Sequence, residues 1–214
     1  MDTNDAEHPL PVSLMYALDA DRERAYWVSE DSDPDPWVTH YTGDDRTDTL
    51  EAWSPALAAP PWGLLAGKAA PAEVSRPTVR TLSDRRAGDT RTLRLSVAPE
   101  EGTPVLLGLY VDTTSAEVVR ASVSGAPAGT EALAGGVNRP HAGSPWKWGL
   151  LFVAPPAEGY ELTLTVRGER PLRLLALTQD AGLPQTALDR PRPAGLTWVA
   201  DAAGLSFTSR AYTF

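Results

Sequence analysis

Asp31, Asp33 and Asp35 stand at alternate positions in the stretch Ser13–Trp37, SLMYALDADRERAYWVSEDSDPDPW, and alternating carboxylates are what a calcium-binding loop offers a hard cation. The match fails in detail. A helix–loop–helix calcium site opening at Asp31 needs glycine at its sixth position and glutamate at its twelfth, where this chain has Pro36 and Thr42. The plainer reading is an exposed acidic turn kinked by Pro34 and Pro36. Imidazole chemistry is limited to His8, His40 and His141, with no H-E-x-x-H pair to present two ligands on one helix face. We expect no metal ligands in this chain.

Nucleophilic and phosphate chemistry find no better footing. No G-x-S-x-G elbow occurs, and the serines near His141 lie in glycine- and proline-rich sequence. Gly63, Gly67 and Lys68 approach a phosphate-binding loop, but the spacing is wrong and Ala69 follows the lysine. Paired carboxylates for glycoside hydrolysis can be nominated in any chain this acidic, because the spacing that matters is three-dimensional. The expectation is therefore that this chain holds no catalytic residue and binds no cofactor.

Tryptophan is the remaining chemical signal, with seven in the chain. Trp37, Trp62 and Trp198 are the candidates for a ligand-stacking platform, which would make a carbohydrate-binding module. The competing reading is core packing, strongest for Trp146 and Trp148, which alternate in phase with Leu150 and Phe152 and would bury large apolar rings.

These residues must be positioned by a chain of 214 residues, long enough to bury a core without staples, and it has no cysteine to make any. A formal net charge of −9 argues against nucleic acid as a partner. Arg76, Arg80, Arg85, Arg86, Arg91 and Arg94 are interleaved with acids and read as a solvated strand face. No apolar run reaches the roughly 20 residues that span a bilayer, so no direct membrane insertion is expected.

Residues 1–11 read as a linker ending in Pro9 and Pro11, as at the start of a domain excised from a longer protein, although a natural start fits too. Next comes a β-hairpin. Leu14, Tyr16 and Leu18 alternate with Ser13, Met15 and Ala17, and beyond ADADRE, Ala25 and Trp27 alternate with Tyr26 and Val28. Both faces are fairly apolar, which suits a strand pair covered on two sides or an edge partly shielded by the next segment. Asp48 as N-cap with Glu51 three residues on predicts a short helical turn carrying Leu50, Trp53 and Leu57. The alanine- and proline-rich segment that follows reads as irregular, anchored by Trp62, Leu64 and Leu65.

Beyond Pro77 the period becomes two. Val79–Leu82 reads as a short strand, with RRAGD as the turn after it. Leu93, Leu95 and Val97 alternate with Thr92, Arg94 and Ser96; Val105, Leu107, Leu109 and Val111 oppose Leu106 and Tyr110; Val119, Ala121 and Val123 face inward. After the glycine-rich stretch 125–145, Tyr160, Leu162, Leu164 and Val166 alternate with Glu161, Thr163, Thr165 and Arg167. Leu172–Leu177 and SFTSRAYTF supply the last strands. Short strands about ten residues apart, punctuated by glycine and proline, predict an all-β, antiparallel β-sandwich of jelly-roll or Ig-like type, with an N-terminal β-hairpin and a short helical turn. We divide the chain into a linker (1–11), a hairpin and irregular segment packing on the sandwich (12–75) and the main sandwich (76–214).

The stretch Ser13–Trp37 resembles the start of the C-terminal soluble region in bacterial transmembrane members of metallopeptidase family twenty-eight, the aminopeptidase-like zinc exopeptidases, where a pattern S-L-x-Y-x-L-D-A-D…A-x-W-x-S…D-x-W follows the membrane helices. TRTLRLSV, PVLLGLYVD, WGLLFVAPPAEGYELTLTV and a GLP element at Gly182–Pro184 continue the resemblance in order. It implies a noncatalytic accessory domain on the extracytoplasmic side, tethered through the parent protein's transmembrane helices. Its partners would be the parent's peptidase and membrane domains, with a peptide or glycan as possible ligand. Zinc is implied only in the parent peptidase domain, since the family's ligand motif has no counterpart here.

Overall fold

The computed structural model describes residues 7–48, 50, 59–130, 144–168, 170–199 and 204–214. In chain order the strands are β1 (Leu10–Val12), β2 (Met15–Asp19), β3 (Arg24–Ser29), β4 (Arg46–Thr47), β5 (Leu64–Ala69), β6 (Pro77–Ala87), β7 (Thr90–Pro99) and β8 (Leu106–Val111). They continue with β9 (Glu117–Val123), β10 (Ala126–Ala128), β11 (Trp148–Val153), β12 (Tyr160–Arg167), β13 (Arg173–Ala181), β14 (Leu196–Trp198) and β15 (Leu205–Thr213). One α-helix, α1 (Pro36–Thr42), and a 3-10 turn at Gln185–Ala187 complete the described elements.

The fold is an all-β sandwich. Eight strands form one sheet in the order β11-β8-β13-β15-β2-β3-β5-β4, and five form the other in the order β10-β9-β12-β7-β6. Neighbours are antiparallel except for β15 and β2, which run parallel with Ser206 opposite Tyr16; a separate parallel pair joins β1 to β14. The large sheet draws strands from both sides of position 76.

Period-two alternation sorts the cores. Leu93, Leu95, Val97, Leu162, Leu164 and Val166 of the small sheet meet Leu107, Leu109, Val111, Leu174 and Ala176 of the large one. On the same face of the large sheet, farther along, Leu14, Tyr16, Leu18, Ala25 and Trp27 pack against α1 through Trp37, Val38 and Tyr41. Met15, Ala17, Val28, Tyr110, Leu175, Leu177 and Phe207 form a third cluster on the opposite face. The hairpin β2–β3 is therefore covered on both sides, the first of the two arrangements its apolar faces allow. Asp19 fixes its turn by accepting from the N–H groups of Asp21 and Arg22.

Several local expectations are corrected. The acidic exit is not a mere kinked turn: Asp35 caps α1 by accepting from Trp37 N at 2.7 Å, and Pro36 occupies the first helical turn, where no donor is needed. The segment 54–77 contains β5, paired with β3; Leu64 and Leu65 are buried anchors, but Trp62 is 49% exposed. β6 extends through Arg85 and Arg86 to Ala87, because cross-strand ion pairing such as Arg91 to Asp84 replaces apolar packing in the outer half of that hairpin. Val119 faces outward at 38% exposure while Val118 is buried, since a register shift at Thr165/Val166 inserts a residue and reverses the phase. Trp146 precedes β11 and packs on the opposite face of the large sheet from Trp148. The helical turn expected from Asp48 falls mostly outside the described residues.

Candidate functional site

Two of the three alternating aspartates, Asp31 and Asp35, have structural roles. Asp31 accepts from Ser13 N through both carboxylate oxygens, at 3.1 and 2.9 Å, tying the exit of the hairpin to its start, and burial pushes its carboxyl up. Asp35 is the cap of α1. Among the described residues no three His, Cys, Asp or Glu side chains are grouped to hold a metal ion, and no helix is long and apolar enough to cross a membrane. His141 lies outside the described residues.

Helix α1 carries the side chains that matter, and a glycine lets it sit where it does. A Cβ built on Gly67 of β5 would lie 2.8 Å from the Thr42 Cα and closer still to the Tyr41 carbonyl oxygen, so only glycine permits this approach of helix to sheet. The helix then adds Tyr41 and Trp37 to an aromatic chain. Tyr16 meets Trp27 at 5.3 Å between ring centroids, Trp27 meets Tyr41 at 5.1 Å, Tyr41 meets Trp37 at 5.3 Å, and Trp37 meets Trp198 at 6.0 Å. These tilted and edge-on contacts are favourable geometries for ring quadrupoles.

Trp37 and Trp198, in contact with each other, both line a pocket of about 460 Å³. Gly182, Leu183, Gln185 and Leu188 form one side; Asp189, Pro191, Arg192 and Gly204 complete it. Its floor is built by backbone. Gly182 N donates to Gly204 O at 2.7 Å, Ser206 Oγ donates to Gly182 O at 2.7 Å, and Gly204 N donates to Leu14 O at 2.9 Å. Gly204 has φ of +71°, in the left-handed region that favours glycine, and the Trp198 indole nitrogen lies 2.9 Å from where a Cβ would be. The ring thus rests directly on the Gly204 backbone.

The rim is latched to α1. Tyr41 Oη donates to Arg190 O at 2.7 Å and accepts from Arg190 N at 2.9 Å, and His40 Nε2 lies 3.0 Å from both carboxylate oxygens of Asp189. The His40 ring holds the Asp189 carboxyl below the usual carboxylate range, and burial pushes the Tyr41 phenol up. Arg192 lies over the Trp198 ring at 5.1 Å. The Trp37 indole N–H is enclosed and has no acceptor. An Asp–His pair supplies two parts of an acyl-transfer triad, yet no serine, threonine or cysteine is among the described residues lining the pocket.

Of the tryptophans singled out in the sequence, Trp37 and Trp198 are brought together here. Trp62 is not in this lining: it donates its indole N–H to Glu30 O at 2.8 Å. Trp27, Trp146 and Trp148 are core residues, and Trp53 lies outside the described residues. Sequence reasoning missed Gln185, Asp189 and Arg192; the proline-rich GLPQTALDRPRP, with no strand period of its own, was the available signal. An adjoining open cleft of about 440 Å³ is lined by Glu73, Glu101 and Asp180, the last with its carboxyl pushed up by burial. No family model matches the chain, nor does any curated protein or solved structure.

Proposed function

We propose that this chain is a noncatalytic binding module, an accessory β-sandwich carried on the extracytoplasmic side by a membrane-anchored zinc peptidase, and that the Trp37–Trp198 pocket is its ligand site. The observation that carries this reading is where the residues of the family resemblance fall. Ser13, Tyr16, Asp19, Trp27, Ser29 and Asp31 are accounted for by the hairpin, its turn and its hydrogen bonds. Trp37 and the GLP element at Gly182–Pro184 lie far apart in sequence, and Trp37, Gly182 and Leu183 meet at the pocket wall. Their juxtaposition there is explained by a ligand site better than by strand formation.

The test has two arms. An open reading frame that joins this chain to transmembrane helices and a zinc peptidase domain supports the accessory role, whereas stoichiometric zinc binding with peptide hydrolysis by the isolated chain refutes it. Tryptophan fluorescence titrations with short peptides and with oligosaccharides then read the pocket. A glycan is the second reading, favoured by the pairing of Trp37 with Trp198. The rings are tilted 51° to each other and Arg192 covers part of Trp198, which suits insertion of a side chain better than a flat sugar platform.

A further inference from the structure

We propose that the Trp37–Trp198 pocket receives the C-terminal end of a peptide, with the terminal carboxylate on Arg192 and an apolar last side chain against the wall to which both indoles contribute; this rests on the pocket being the ligand site. The argument starts from the cation. Arg76, Arg91, Arg94, Arg173 and Arg210 each hold a carboxylate. Arg192 does not, and unlike other arginines outside these pairs it lies in the pocket lining, where its contact among the described residues is the Trp198 ring and the acid of the lining, Asp189, spends both oxygens on His40. A guanidinium stacked on an indole is held in one plane and presents its fork edgewise, the geometry that takes a planar carboxylate through two parallel hydrogen bonds.

The walls decide what accompanies the carboxylate. Trp37, Leu183, Leu188, Pro191 and Trp198 are apolar, and about 460 Å³ matches the lower range of small-ligand pockets, room for one or two residues. One group selects a peptide over a simple fatty acid. Gln185 Nε2 donates to Leu183 O at 3.1 Å, which leaves its side-chain oxygen as an acceptor for a ligand N–H. A polyanion is disfavoured by the net charge of −9, so a single carboxylate is the better match.

The experiment is a tryptophan-fluorescence and calorimetric titration of the full chain with N-acetyl-alanyl-leucine as the free acid, its C-terminal amide and octanoate. The free acid is expected to bind with a Kd below about 1 mM, and the amide and octanoate at least about tenfold more weakly. Arg192→Ala should weaken the free acid by about tenfold or more while leaving the amide unchanged, and Arg192→Lys should recover only part of the loss. Arg192 is exposed, so these variants keep the fold, and the acid–amide comparison on the wild type is independent of them. Equal binding of acid and amide overturns the carboxylate assignment and leaves the pocket standing. Octanoate binding as tightly as the peptide overturns the peptide assignment, and no binding of any of the three overturns both the inference and the pocket reading.

Discussion

Replacing Gly67 by alanine puts a methyl group where the structure has the backbone of α1. The added Cβ would lie 2.8 Å from Thr42 Cα and 2.9 Å from Thr42 C, and in hard overlap with the Tyr41 carbonyl oxygen. Carbon–carbon contacts settle at about 3.5–4.0 Å, so helix and strand must part by roughly 1 Å. Every atom in the way is backbone, so no rotamer change relieves it. Overpacking of this kind costs about 1–3 kcal/mol, and this site belongs at the upper end; loss of glycine's unfolded-state freedom returns about 0.4–1 kcal/mol. The net expectation is a destabilisation of about 2 kcal/mol, or a Tm lower by roughly 4–8 °C for a chain of this size. Because Tyr41 touches both Trp27 and Trp37, the near-UV circular dichroism should change as well. A Tm within about 2 °C of wild type together with an unaltered aromatic spectrum would refute the claim that Gly67 sets the seat of the helix.

Thr178 and Thr208 face each other across β13 and β15, both buried, but Thr178 Oγ1 donates to Ser75 O at 2.8 Å while Thr208 Oγ1 has no partner. Urea denaturation should therefore find Thr178→Val destabilising and Thr208→Val stabilising, each by about 1 kcal/mol. Tyr16→Phe should cost about 1–3 kcal/mol, because it strands the Ala72 N–H and the Ala70 carbonyl that its hydroxyl serves. Burial pushes the Tyr110 and Tyr160 phenols above the ordinary value of 10.0. The unfolded chain loses these protons first, so their contribution is complete below pH 10 and falls away above it. Thermal melts should show Tm dropping above that pH, less steeply in Tyr160→Phe. Asp35→Ala removes the cap of α1 and should cost about 1 kcal/mol by the same denaturation assay.

The sandwich was legible wherever a strand has one wet and one dry face. Tyr160–Arg167 and Thr92–Val97 alternate in sequence and in burial alike, and the doubly apolar hairpin is doubly covered. Strands escaped notice where other forces replaced that pattern. β5 is Leu-Leu-Ala-Gly-Lys-Ala, poor in β-branched residues because α1 presses on it, and the outer half of β6 is held by cross-strand pairing and ion pairs. The phase of β9 was lost at Val119 because a bulge leaves no mark in composition. α1 is too short to show a helical period, although Asp35-Pro36 already spelled its cap. At the site, Trp37 and Trp198 stood out as residue types. Their meeting depends on loop 182–198 folding back over the helix, which no local pattern encodes, and Arg192 and Gln185 were invisible for the same reason.

The parallel seam between β15 and β2 places the first long strand of the chain beside the last. Asp21 accepts from Ala211 N across 190 positions of sequence, and β1 likewise waits for β14. On a ribosome, the hairpin emerges with two greasy faces, and the strand that pairs with β2 in this sheet, β15, follows only some 190 positions later. Closure of that seam is a late, long-range event of the kind that slows folding. Loss of β15 would therefore leave the large sheet split down its middle, β13 on one side and β2 on the other.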